Sequence, residues 1–205
     1  MASTDTPTRF SIIEGVRDRD PDRWREFYLI YKPMLMGFFR KQGLSEGDAN
    51  DLVQDVFLKL LKKIQTYDRS QTRFRTWLFT VARNALIDRV RREHSQRKAR
   101  DGWARRVLEI TSDEEAEQRR EFEQDHRRQI LRFAFDKVKR RSSERVWNCF
   151  EFSVIQGRPG GEVAAELGLT ANAVYVNSWR VLKAVKDLCR RYDEDLKHDP
   201  DDRLP

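Results

Sequence analysis

The sequence predicts an all-α fold: two small helical domains joined by a charged linker, the second ending in a helix-turn-helix. Two observations carry this. Apolar residues recur at i, i+3, i+4 and i+7 through almost every long segment, the period of an amphipathic helix. No segment alternates β-branched and polar residues as a half-buried strand would.

Residues 22–41 carry Trp24, Phe27, Tyr28, Tyr31, Leu35, Phe38 and Phe39 at helical spacing, with a kink expected at Pro33. Gly43 ends this helix, and Ser45 with Asp48 three residues on forms a capping box for the next. In that helix Val53, Val56, Phe57, Leu60, Leu61 and Ile64 make one apolar stripe. Asp51, Gln54, Asp55 and Leu58 occupy a different face, an acidic and amide cluster around one aliphatic residue that suits a basic partner. A turn over Tyr67–Arg73 leads into a helix from about Phe74 to Arg92. There Phe74, Trp77, Leu78 and Val81 form an apolar stripe, and Asn84, Asp88, Arg91 and Arg92 a polar one able to meet bases and phosphates. Trp77 is assigned to the core, with base stacking as the alternative. These helices define a first domain over residues 8–95.

From 96 to 127 large apolar residues thin out and charges crowd in, Glu109–Glu117 being acidic. This segment is expected to be a linker with transient or partner-induced structure, helical only toward its end. The second domain, 128–192, takes its core from Ile130, Phe133, Val138, Val146, Phe150 and Val154, with a helix running from Ser142-Ser143 to Gln156 and stopped by Gly157 and Pro159. The segment EVAAELGLTANAVYVNSWRVLKAVKDL then reads as a helix-turn-helix, with Gly168 at the turn and Leu169 and Val174 anchoring it. Residues 193–205 form a polar tail.

The composition narrows the function class. Lys and Arg number 41 against 34 Asp and Glu, a net charge of +7, which suits nucleic acid or an anionic surface. Between residues 71 and 100 nine basic residues face two acids, Asp88 and Glu93, so the charge is a local block. Cys149 and Cys189 have neither metal-site nor redox spacing and are expected to be reduced. No segment reads as a signal peptide or a membrane span, so a cytoplasmic chain without membrane insertion is expected. His94, His126 and His198 have no partner pattern, and no phosphate loop or nucleophile–base pair appears; no enzyme, cofactor or metal is expected.

Asp51-Leu52-Val53-Gln54-Asp55-Val56-Phe57, together with the aromatic and basic segment after it, resembles bacterial RNA polymerase sigma factors. The compact two-domain layout is similar to their extracytoplasmic-function (ECF) group. The resemblance implies that Asp51, Gln54, Asp55 and Leu58 dock on the clamp helices of the largest polymerase subunit, where Arg forks meet carboxylates. It implies that the turn Asp68, Arg69, Ser70, Gln71 and Arg73 captures a base flipped from the non-template strand at the minus-ten element, with Arg83, Asn84, Asp88 and Arg91 following along the DNA. It places Asn172, Tyr175, Val176, Asn177, Arg180 and Lys183 at the minus-thirty-five element, on a helix in the major groove. Family members commonly carry basic residues where this chain has Tyr175 and Asn177, and a polar cap where it has Gly160-Gly161, which predicts altered promoter specificity. The implied partners are core RNA polymerase, including the flap of its second subunit, and promoter DNA; an anti-sigma factor is left open. The acidic linker is implied to thread toward the basic active-site cleft. The alternative is a free-standing helix-turn-helix regulator that binds duplex DNA without polymerase.

Overall fold

The computed structural model describes residues 12–96 and 101–193, and all regular structure among them is helical. The chain divides into two compact units, one reaching to Gln129 and one spanning Ile130–Asp193. Residues 8–11 and the polar tail beyond Asp193 lie outside the described residues.

The first unit opens with a short helix that precedes the helices expected from the sequence, α1 (Ile12–Arg17), which buries Ile12, Ile13 and Val16. Helix α2 (Pro21–Lys41) is started by Asp20, whose side chain accepts from the amides of Asp22 and Arg23, and by Pro21 at its first position. Pro33 lies on its exposed face and α2 continues through it; the Leu29 carbonyl that Pro33 leaves without a donor can be met by water. Gly43 takes φ 90° to end α2, and Trp103 stands where a Cβ would project. Helix α3 (Glu46–Lys63) starts at Ser45, whose hydroxyl accepts from the Asp48 amide at 3.2 Å. It buries Leu52, Val53, Val56, Phe57 and Leu60. Leu61, expected in that stripe, is exposed: it falls at the stripe's edge, beside Leu58.

A 3-10 turn (Ile64–Thr66) and a loop lead into α4 (Phe74–Gln96). The core is largely aromatic. Phe27 packs against Tyr31 at 4.4 Å and edge-on to Phe57 and Phe74 at 6.1 and 6.0 Å. Such pairs contribute about 0.5–1.5 kcal/mol each beyond the area they bury.

Residues 101–127 are not a tether. Helix α5 (Asp101–Leu108) buries Ala104 and Val107, and Trp103 Nε1 donates to the Gln42 carbonyl at 2.7 Å. Helix α6 (Ser112–Arg141) starts with a capping box: the Glu114 carboxylate accepts from the Thr111 amide (2.8 Å), and the Thr111 hydroxyl accepts from the Glu114 amide (3.3 Å). Phe122 is 2% exposed and meets Phe38 and Phe79 at 5.3 and 5.5 Å. Four residues on, buried His126 faces the Tyr31 hydroxyl at 3.2 Å. A high average charge coexists here with one apolar stripe, and the stripe decides the structure.

In the second unit, residues 130–141 of α6 pack Ala134 and Val138 with Trp147 and Phe150 of α7 (Glu144–Phe150) and Val181 and Val185 of α9 (Ala171–Tyr192). Between α7 and α8 (Gly160–Leu167) lies a π-helical segment, Glu151–Ile155. Its wider turn shifts the register, so Val154, expected in the core, is 46% exposed. Phe133 packs edge-on to Tyr192 at 5.1 Å. Cys149 and Cys189 are free thiols, and burial pushes Cys189 up to about 11.

Candidate functional site

The outer face of α3 follows from its burial pattern. With Leu52, Val53, Val56 and Phe57 turned inward, Asp51, Gln54, Asp55 and Leu58 are all exposed, Leu58 at 58%. Asp48, half-buried, is paired with Arg89 of α4. Beside the face runs an open cleft of about 610 Å³ lined by Asp55, Leu58, Lys59 and Lys62 of α3 and Asp88, Arg91 and Arg92 of α4. Lys59 meets Asp88 at 3.0 Å and Arg92 approaches Asp55 at 3.9 Å across it. Exposed pairs of this kind contribute at most about 1 kcal/mol, so a stronger partner can take their place.

The loop before α4 is shaped by its own side chains. Asp68 Oδ1 accepts from the Ser70 amide and hydroxyl, both at 2.8 Å, and Oδ2 from the Gln71 side chain at 3.2 Å. These bonds, the Ser70 amide first, hold the Asp68 carboxyl below the usual carboxylate range. The loop order they support is therefore present above that range and lost as pH falls through the lowered value. Asp68 builds the turn, while Ser70, Gln71 and Arg73 are exposed around it and Arg69 is half-buried. The Tyr67 hydroxyl closes the loop by donating to the Thr72 carbonyl at 3.0 Å. Trp77 is half-buried against Tyr67 and Phe74, at 5.0 and 5.6 Å.

Along α4, Thr80, Asn84, Asp88 and Arg91 form one exposed stripe that continues from Arg73. Arg83 lies off it. Its side chain turns to Glu115 of α6 at 3.1 Å, because residues 75, 79 and 83 form the stripe that α6 covers. The expectation grouped Arg83 with Asn84; the fold separates them.

In the second unit α8 ends at Gly168 in the left-handed region, φ 61°. Arg145 donates to the freed Leu167 and Gly168 carbonyls, both at 2.8 Å. Thr170 then caps α9, its hydroxyl accepting from the Ala173 amide at 3.2 Å. Thr170→Ala should cost about 1 kcal/mol of stability in this unit, measurable by urea titration; an unchanged midpoint would mean the cap is not used in solution.

On α9, Val174, Ser178, Val181 and Val185 face the core, which turns Asn172, Tyr175, Val176, Arg180 and Lys183 outward. Asn177 does not join them. It is half-buried, its amide donating toward Cys149 Sγ at 3.7 Å. In its place the surface presents Trp179, 60% exposed with Lys183 Nζ 5.2 Å over its ring. Spacing finds this residue: Trp179 stands four after Tyr175 and four before Lys183. At Gly160 a Cβ would come within 2.6 Å of the far end of the exposed Tyr175 ring, so a side chain there would push Tyr175 aside.

Among the described residues no group of three or more His, Cys, Asp or Glu is placed to hold a metal ion, and no helix is long and apolar enough to cross a membrane.

Residues 27–96, which carry α3, the loop and α4, match the family model Sigma-70 region 2. The chain is 32% identical over 84 residues to the ECF RNA polymerase sigma factor RpoE of Cereibacter sphaeroides, covering 40% of this chain and 46% of that protein. It is 34% identical over 93 residues to the ECF RNA polymerase sigma factor SigF of Caulobacter vibrioides, covering 45% and 51%. The chain thus spans about half the length of these curated relatives. With the ECF RNA polymerase sigma factor BldN of Streptomyces coelicolor the similarity is 23% identity over 199 residues, 96% of this chain and 70% of that protein. Residues 27–96 thus carry a sigma-70 region 2 match, and the chain is similar to ECF RNA polymerase sigma factors over that part of its length.

Proposed function

We propose that this protein directs bacterial core RNA polymerase to specific promoters and initiates transcription as an alternative, ECF-type factor in the cytoplasm. One observation carries the reading: an exposed Asp51, Gln54, Asp55 and Leu58 face and an exposed Arg73–Arg91 stripe lie within one domain, over the segment that matches sigma-70 region 2. In this reading the acidic face meets Arg forks on the clamp helices of the largest subunit. The turn around Ser70, Gln71 and Arg73, shaped by Asp68, takes an unstacked minus-ten base, and Asn84, Asp88 and Arg91 follow the strand. The second unit, with its two helices joined at Gly168, lays α9 in the major groove of the minus-thirty-five element. The flap of the second polymerase subunit is the partner proposed for that unit, and an anti-sigma factor is compatible with the same surfaces.

A gel-filtration test decides between this reading and a free-standing regulator. The full chain mixed with bacterial core polymerase should co-elute and then bind fork-junction DNA. A chain that binds duplex DNA but never associates with the core polymerase would support the regulator.

Within α9, readers and clamps should separate. Tyr175, Val176 and Trp179 present apolar surface that can meet thymine methyl groups, while Arg180 and Lys183 reach phosphates. Arg180→Ala should weaken binding to all minus-thirty-five sequences alike and lower the salt slope by about one unit. A shifted consensus in a randomised library would instead make Arg180 a base reader.

A further inference from the structure

The capture loop begins at a point gripped from outside the region-2 match. Arg17, the last residue of α1, is half-buried, and its Nε donates to the Ile64 carbonyl at 2.9 Å. Its Nη2 donates to the Tyr67 carbonyl. Gln65 Nε2 donates back to the Arg17 carbonyl at 2.9 Å, and the guanidinium lies 5.9 Å over the Tyr67 ring. The two gripped carbonyls bracket the 3-10 turn in which α3 ends; the Ile64 carbonyl also accepts a long bond from the Tyr67 amide (3.4 Å), and a cation is favoured at such a helix C-terminus. Tyr67 is also the residue before Asp68, and its hydroxyl closes the far side of the loop on Thr72. One side chain therefore fixes both the backbone entry of the loop and the ring around which the loop folds.

We propose that Arg17 is a positioning residue for base capture. Resting on the reading of the Asp68–Arg73 turn as the base pocket, it sets the pocket's width and so its choice of base, without touching the base itself. The planar fork matters because Nε and Nη2 are two nitrogens held rigidly in one plane, each aimed at its own carbonyl. The three donors of a lysine ammonium instead share one nitrogen on a flexible stem and do not fix the spacing of the two carbonyls. A pocket only slightly loosened loses discrimination before it loses binding, since a misplaced donor penalises the correct base most.

The test uses the full chain assembled with core polymerase and single-stranded non-template oligonucleotides carrying each base in turn at every minus-ten position. The wild type should prefer one base at one position by on the order of tenfold or more. Arg17→Ala and Arg17→Lys should both bring that preference close to unity while core binding is retained. Arg17→Lys keeps the charge and the packed stem, so it decides the matter should Arg17→Ala fail to fold. Full discrimination in Arg17→Lys, even with a lowered melting temperature, would make Arg17 a structural staple and overturn the proposal. A wild type with no base preference at any position would overturn the pocket reading itself and the proposal with it. Substitution of exposed Arg19, two residues on, should leave the preference unchanged.

Discussion

Asp55→Arg is expected to abolish stable association with core RNA polymerase. Asp55 is exposed on the α3 face, and its pairing with Arg92, at 3.9 Å, is loose enough to yield to a better partner. Reversing its charge sets like charges together at a partly desolvated contact and should cost several kcal/mol. That weakens binding on the order of a hundredfold or more. The fold should survive, because the side chain packs against nothing in the core. The check is co-elution with the core polymerase beside a circular dichroism spectrum. Undiminished co-elution of a folded variant would remove the docking assignment.

Phe122→Ala should have the largest effect on stability. The ring is 2% exposed between Phe38 and Phe79, and removing such a side chain costs about 3–5 kcal/mol through lost transfer energy and the cavity left behind. For a domain of this size that lowers the melting temperature by on the order of 10–30 °C. If residues 101–129 were a tether, the substitution would stay within about 0.5 kcal/mol of neutral. Thermal melts of the full chain separate the two outcomes, and an unshifted transition would return this segment to the status of a linker.

The helices that repeat the 3.6-residue period over four or more turns were legible. In α3 the period alone orients Asp51, Gln54 and Asp55 outward, because four inward positions leave them no other side. The failures have distinct causes. Helix α1 has six residues, too few for periodicity to stand out. Over 101–127 average charge hides a stripe of Ala104, Val107, Phe122 and His126, although the Thr111–Glu114 capping box is plain in the sequence. On α9 five of the six expected positions face outward and Asn177 does not. Ser178 sits in the core seam, its hydroxyl 2.9 Å from that of Ser153, so Asn177 turns inward and Trp179 outward. A small polar residue in a seam carries no hydrophobic signal, and only its packing partner reveals it. Arg83 shows the same limit: its neighbour Glu115 is 32 residues away, on a helix that the composition did not announce.

The most direct measurement is run-off transcription with bacterial core polymerase on a promoter library. Core polymerase with the wild-type chain should yield transcripts from a restricted set of templates sharing a minus-thirty-five and a minus-ten element. Core polymerase alone, or with Asp55→Arg, should yield none of them. Transcription unchanged by the chain, while the chain still binds duplex sites selectively, would contradict the account and make the protein a regulator that acts without polymerase docking.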